Sequence, residues 1–220
     1  MSVTKSAALF DVDGTLVDSN YLHAVTWWEA FRQAGHQVPM ARVHRAIGMG
    51  SDLLLDHLLP EERDQEADDG IRTAHAALYA TYWSRLAPLP GAAELLKAVA
   101  ERGLRVVLAS SAAERELGVM REVLDAESAI LAATSSSSVE RSKPAPDLVQ
   151  AALEKAEVEP DQAVFVGDTR WDVQAAQRAK VPCVGLLSGG IGENELAGAV
   201  AIYRDAAHLL EELDDSPLLS

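Results

Sequence analysis

From Ala92 onward the chain alternates segments of helical periodicity with short apolar runs. Helix-like stretches near Ala92 to Arg102, Glu114 to Leu124, Asp147 to Glu157 and Trp171 to Ala179 interleave with strand-like ones. The strand-like runs are Leu104 to Ala109, Ile130 to Ala132, Gln162 to Val166 and Val181 to Leu186, with Ala199 to Tyr203 as an edge candidate and a last helix near Ala206 to Leu213. Parallel strands need long crossovers, so this alternation predicts an α/β fold with a doubly wound parallel sheet. One further apolar run, Ala7 to Phe10, stands alone near the N-terminus. Between it and the stiff linker Pro88-Leu89-Pro90-Gly91 the pattern is helical, the mark of an insertion. The expected organisation is a core of residues 1–17 and 88–220 and a helical cap of residues 18–87.

Within the insertion, Val25, Trp28, Ala30, Phe31 and Ala34 recur at helical spacing before Gly35, and Ala41 to Ile47 precedes a Gly48-Met49-Gly50 turn. Ser51 or Asp52 is the expected cap of a third helix containing Leu54, Leu55, Leu58 and Leu59. Pro60-Glu61-Glu62 reads as a fourth helix start, with the acids from Glu61 to Asp69 as a solvated face and Ile71, Ala74, Leu78 and Tyr82 as its apolar positions. The serines from Ser135 to Ser138 read as a loop, Gly189, Gly190 and Gly192 as a flexible connection, and Ser216 to Ser220 as a loosely held end.

Composition narrows the partners. Acidic residues outnumber basic ones 34 to 19, a formal charge of −15, which opposes nucleic-acid and anionic-membrane binding. Cys183 is the only cysteine, so no intrachain disulfide forms, and it is expected to be a buried apolar thiol. No secretory leader or spanning-length apolar run is apparent, and a cytoplasmic protein is expected.

The polar residues of interest fall at strand ends. Asp11 and Asp13 follow the first strand two residues apart, so extended geometry points both to one side, and Gly14 permits a sharp turn. Those residues alone also fit a strand followed by an acidic turn. Ser110 follows a second strand and Asp168 a later one. If the first strand lies centrally with those two beside it, all three sites meet in the crevice where the strand order reverses. The helical insertion then hangs over that crevice.

Four separated motifs, Asp11-Val12-Asp13-Gly14-Thr15, Ser110 after an apolar strand, Lys143 before Pro144, and Gly167-Asp168-Thr169-Arg170-Trp171-Asp172, make the chain resemble the haloacid dehalogenase superfamily over nearly its whole length. The likeness is to the phosphatase branch, with a Rossmann-like core and a helical-bundle cap inserted after the first motif. The resemblance implies that Asp11 attacks phosphorus to form an aspartyl-phosphate and is also a metal ligand. It implies Mg²⁺, held by Asp11, the backbone carbonyl of Asp13 and Asp168, with Asp172 holding a water on the ion or orienting Asp168. The Asp13 side chain is then free to act as general acid and base. Ser110, the Ser111 amide and Lys143 are expected to bind the phosphoryl group, and His23 to contact the substrate or an acid-base group. Trp27 or Trp28 and the Gly48-to-Ser51 turn are further candidates for the cleft, whereas His44, His57 and His75 show no metal-ligand spacing.

The implied activity is hydrolysis of a small phosphorylated metabolite, a sugar phosphate or a phosphoglycolate-like ester, by a monomer or homodimer. A sugar-phosphate mutase is the alternative, although Ser51 stands where mutase relatives carry an arginine after the glycine turn. A halide-releasing hydrolase and a phosphate-ligand-binding protein without turnover rank below these.

Overall fold

The structure, a computed structural model, describes residues 4–220. Its centre is a sheet of six parallel strands, β1 (Ala7–Phe10), β2 (Arg105–Ala109), β3 (Ile130–Thr134), β4 (Ala163–Gly167), β5 (Cys183–Leu186) and β6 (Ala201–Tyr203), in the order β3-β2-β1-β4-β5-β6. The order reverses at β1, which pairs Phe10 with Leu108 on one side and with Val166 on the other. Asp11, Ser110 and Asp168 therefore leave the sheet at nearly one level.

The alternation of side chains along the strands divides the core into two layers. Ala8, Phe10, Val106, Leu108, Val164 and Val166 face the layer that includes Leu95, Leu96 and Val99 of α5 (Ala92–Glu101) and residues of α6 (Glu114–Leu124) and α9 (Ala206–Glu211). Ala7, Leu9, Val107, Ala163 and Phe165 face α7 (Asp147–Ala156) and α8 (Arg170–Arg178). Cys183 lies in this second layer, 1% exposed, as a packed apolar thiol.

Between β1 and β2 the chain builds α1 (Asn20–Gln33), α2 (Met40–Ala46), α3 (Ser51–Leu58) and α4 (Asp68–Ala80) around a core of their own that includes Trp27, Phe31, Val43, Leu54, Leu55 and Ile71. The segments entering and leaving this insertion run side by side. Val17 bridges Pro88, the Asp18 amide donates to Ala87 O at 3.0 Å and the Leu89 amide to Leu16 O at 2.8 Å.

Several expectations for the insertion are corrected. The buried stripe of α1 includes His23, Ala24, Thr26, Trp27, Ala30 and Phe31, whereas Val25 and Ala34 are exposed, because the helix must face α4 and the crevice at the strand ends together. In α4, Ile71 is buried and Ala74 and Leu78 pack against the core as expected, but His75 and Tyr79 are also buried and Tyr82 lies beyond the helix end. Gly50 is the cap position of α3 and Ser51 its first helical residue, while the Asp52 side chain lies outside the described residues. The acids after Pro60 form no single helical face. A turn and a short 3-10 segment, Gln65–Ala67, precede α4, and Asp68 is buried against Arg63.

The last residues are also held. Ser216 and Leu218 are fully buried, with the Ser216 hydroxyl donating to Leu213 O at 2.7 Å. Residues 136–138 form a 3-10 turn where a plain loop was expected. Among the described residues no helix is long and apolar enough to cross a membrane.

Candidate active site

The chain leaves β1 at Asp11 and bends at Gly14, whose φ of +72° lies in the left-handed region. A side chain there would also collide with its surroundings, since a Cβ would sit 2.1 Å from Asn20 Nδ2 and 2.5 Å from Asp168 Oδ2. The turn thus needs glycine for its conformation and for the close approach of the groups behind it.

Lys143 is fully buried beneath this turn. Its ammonium contacts Asp11 Oδ1 and lies 2.7 Å from Asp172 Oδ1, with its stem passing the Phe165 ring, whose centroid is 5.3 Å from Nζ. Burial opposes its charge, but Asp11 and Asp172 outweigh burial and hold the lysine protonated beyond its ordinary range. Asp172 owes its position to the start of α8, where its Oδ2 accepts the Thr169 amide at 3.0 Å and the Thr169 hydroxyl at 2.6 Å in a capping box. It makes no hydrogen bond to Asp168 among the described contacts.

Asp168 completes the cluster. Its Oδ1 accepts the Thr15 hydroxyl and its Oδ2 the Asn20 amide, both at 2.8 Å. Thr15 also reaches Asp11 Oδ2 at 3.3 Å. Asp11, Asp168 and Asp172 offer oxygens that all lie within 4.8 Å of one another, and all three residues are buried. Burial, together with its carboxylate neighbours, pushes Asp11 up to about 7 against the opposing pull of Lys143, and raises Asp168 well above the carboxylate range. One ammonium does not balance three buried carboxylates. A divalent cation with hard oxygen ligands, as Mg²⁺ has, fits both the charge deficit and the donor set.

Asp13 lives in a different environment. Its Oδ1 accepts the Ser19 hydroxyl at 2.6 Å and lies 3.1 Å from His23 Nε2, while the Ser110 hydroxyl is 3.4 Å from Oδ2. Burial raises its pKa, but the His23 hydrogen bond and charge, with Ser19, outweigh this and hold the carboxyl below its ordinary value. Burial likewise opposes charge on His23, and the contacts to Asp13 and Glu116 reverse that and raise its pKa. His23 Nδ1 faces His75 Nε2 at 3.3 Å, and burial plus the His23 charge push His75 down to about 2, so it is a neutral acceptor. Tyr79 stacks on His23 and Trp27 on His75, each at 3.9 Å between ring centroids.

A cavity of about 250 Å³ opens above these carboxylates. Asp11, Asp13 and Ser111 line it from the core, and His23, Trp27 and the Gly48-to-Ser51 turn from the insertion. The structure therefore gathers Asp11, Asp13, Ser110, Lys143, Asp168, Asp172 and His23 at one place, with Ser111 at the rim, where its hydroxyl is 3.5 Å from Gly48 O. Of the tryptophan pair, Trp27 faces the cavity. Gly189 is not part of a free connection. Its carbonyl accepts from Asn20 and from His44 Nε2 at 3.0 Å, and a Cβ there would lie 1.7 Å from Asp168 Oδ2.

Sequence reasoning missed Thr15, Ser19, Asn20, His75 and Glu116. The polar run Asp18-Ser19-Asn20 directly after the first motif is a signal for part of this set, but Glu116 lies in the first turn of an ordinary surface-patterned helix and gave none.

A family model described as haloacid dehalogenase-like hydrolase matches residues 5–180. The chain is 33% identical over 218 residues to the phosphoglycolate phosphatase of Rhodospirillum rubrum, covering 92% of this chain and 88% of the relative. It is 30% identical to the enzyme of that name from Escherichia coli K12, covering 93% and 90%. A hydrolase from Pseudomonas syringae superposes with a TM-score of 0.91 at 35% identity, covering 96% of this chain and 99% of that one. With the cradle of buried carboxylates and the matched family model in agreement, the chain belongs to the haloacid dehalogenase-like hydrolases, in their phosphatase branch.

Proposed function

We propose that the protein is a Mg²⁺-dependent phosphatase that hydrolyses a small phosphorylated metabolite, a sugar phosphate or phosphoglycolate-like ester, through an aspartyl-phosphate on Asp11. The observation that carries this reading is the excess of three buried carboxylates over the one buried ammonium of Lys143, at the floor of a cavity that Asp11 and Asp13 share. Phosphoglycolate enters through the names of the relatives at 33% and 30% identity.

Asp11, Asp168 and the Asp13 carbonyl are the proposed holders of the ion, with Asp172 fixing Lys143 at its side. When bound, Mg²⁺ neutralises the phosphate anion and lets a carboxylate approach it. An Asp11 oxygen then forms a bond to phosphorus as the bond to the ester oxygen breaks. Asp13 gives that oxygen its proton, and the alcohol leaves. In the second half Asp13 takes a proton from water, whose oxygen attacks phosphorus and releases phosphate and free Asp11. His23 holds Asp13 in position on the cavity side, and Ser110, the Ser111 amide and Lys143 supply donors to the phosphoryl oxygens. Residues 18–87 act as the cap that admits substrate and limits water, hinging where Val17 and Pro88 run side by side.

Phosphate release measured with Mg²⁺ and with a chelator, for the wild type and Asp11→Asn, tests this. Turnover that needs Mg²⁺ and disappears in the variant is expected. Undiminished Mg²⁺-dependent turnover by Asp11→Asn would refute the nucleophile.

A further inference from the structure

The cavity wall beside Asp13 carries a carboxylate to which the proposed reaction gives no task. Glu116 stands in the first turn of α6, its side chain 16% exposed, and lines the cavity with Asp13, His23 and Ser111. A helix start leaves backbone amides without intrahelical partners, and the one at Ala113 favours the charged form of the Glu116 carboxyl. Its Oε1 is buried and accepts no hydrogen bond. His23 Nε2 makes an ion-pair contact with it at 3.3 Å, but that nitrogen is aimed at Asp13 at 3.1 Å.

A buried oxygen without a donor is destabilising, and a group arriving in the cavity can relieve this. Burial and the Asp13 charge, against the pull of His23, push the Glu116 carboxyl up to about 7. A hydroxyl satisfies either form, since it donates to a carboxylate and accepts from an acid. A second anion does not. Asp13 and Glu116 flank the same edge of His23, so an ester oxygen that meets Asp13 places its next carbons beside Glu116. A carboxylate there faces two acids, and like charges set side by side repel. Arg72, the cation on the cap wall, is engaged elsewhere, with Asp69 at 2.7 Å and the Ser51 carbonyl at 3.4 Å from its Nε.

Resting on the phosphatase reading above, we propose that Glu116 is the specificity-determining residue of this site. Its carboxyl accepts a hydroxyl from the alcohol portion of the substrate, so the enzyme prefers phosphate monoesters of polyols or sugars to esters carrying a second anionic group at that place. This divides the protein from what the names of its relatives suggest.

Three esters of equal carbon skeleton test it: ethyl phosphate, 2-hydroxyethyl phosphate and 2-phosphoglycolate, each with Mg²⁺, for the wild type and Glu116→Gln. The wild type is expected to favour the hydroxyl ester over phosphoglycolate by about tenfold or more in kcat/KM. Glu116→Gln keeps an oxygen for the Ala113 amide and is expected to move that ratio about tenfold toward phosphoglycolate, mainly through KM. Ethyl phosphate, which carries neither group, reports on folding and chemistry in both proteins. A wild-type preference for phosphoglycolate, or a ratio unmoved in the variant, overturns the role of Glu116. If Glu116→Gln loses ethyl phosphate turnover, Glu116→Ala is read by the same ratio. Absence of Mg²⁺-dependent turnover on all three esters by the wild type overturns the phosphatase reading itself, and this assignment with it.

Discussion

Replacing Lys143 by methionine tests the electrostatic core of the site with little change in packing. Methionine is unbranched and of similar length, so it can follow the same path past Phe165. What is lost is the single buried ammonium between Asp11 and Asp172. Removing one partner of a buried pair costs about 3–5 kcal/mol, because the remaining charge stays buried without compensation. In a chain of this size each kcal/mol lowers the melting temperature by about 2–4 °C, so a drop of roughly 6–20 °C is expected at pH 8 in chelator. The sign of the pH dependence follows from the carboxyls. Asp11 already stands at about 7 with Lys143 in place, above its unfolded value, so the folded state binds more protons and stability falls as pH rises from about 4 toward 7. Without the ammonium the folded value rises further. The deficit of Lys143→Met relative to the wild type should therefore be largest at pH 8 and shrink toward pH 5, where protonation replaces the missing charge. Urea unfolding at both pH values in chelator measures it. A deficit below about 1 kcal/mol at pH 8, or one equal at pH 5 and pH 8, would show that Lys143 does not carry the charge balance assigned to it.

Two further perturbations address the supports of the site. In Gly189→Ala the new Cβ would lie 1.7 Å from Asp168 Oδ2 and 2.7 Å from Asn20 Nδ2, so the carboxylate must move. The Mg²⁺ concentration for half-maximal turnover is expected to rise about 10–100-fold, and an unchanged titration would contradict the placement of Asp168 in the ion site. Arg63→Ala removes the paired bonds to Asp68 at 2.9 and 2.8 Å, between side chains only 3% and 8% exposed, and is expected to cost the insertion about 1–3 kcal/mol. The Arg63 hydrogen bonds hold the Asp68 carboxyl below its ordinary value, so this stability is present above about pH 4 and lost as pH falls through the lowered value. Thermal melts carried from pH 7 downward should show the difference between variant and wild type in full at pH 7 and shrinking as the pH falls below about 4.

How much of this was legible in the sequence depended on how local each cause was. The strand at Ala7 to Phe10 and the helix at Glu114 to Leu124 follow from apolar runs and helical spacing within a few residues. β3, expected only over Ile130 to Ala132, runs on to Thr134 at the sheet edge, where Leu131 is 57% exposed and the strand needs no continuous apolar pattern. The stripes of α1 and α4 were read only in part: Ala30, Phe31 and Ile71 are buried as expected, but His23, Trp27, His75 and Tyr79 were left out. Their inward faces are set partly by polar neighbours, Asp13 and Glu116 for His23 and His23 for His75, so hydrophobicity alone misplaces them. Thr15 and Asn20 bind Asp168 across 153 and 148 residues of chain, a distance over which spacing carries no information.

The two acids at the end of β1 show why spacing and environment must be kept apart. Residues two apart on an extended chain point to one side, and Asp11 and Asp13 do share one cavity. Their surroundings then drive them in opposite directions: Asp11, raised by burial and by the charges of Asp172 and Asp13, stands at about 7, while Asp13, held by His23 and Ser19, stays below its ordinary value. In the reaction proposed for this site Asp11 must be ionised and Asp13 must hold a proton, so in the protein alone Asp11 is only partly ready for its proposed task and Asp13 stands on the wrong side of its own. A cation held by Asp11 and Asp168 lowers both of those carboxyls and frees Asp11 to react. A phosphate ester brings negative charge toward Asp13 and favours its protonation. In this proposal the arrangement becomes competent when ion and substrate are both present, which joins the proposed Mg²⁺ requirement and the contacts made by the helical insertion through a single electrostatic cause.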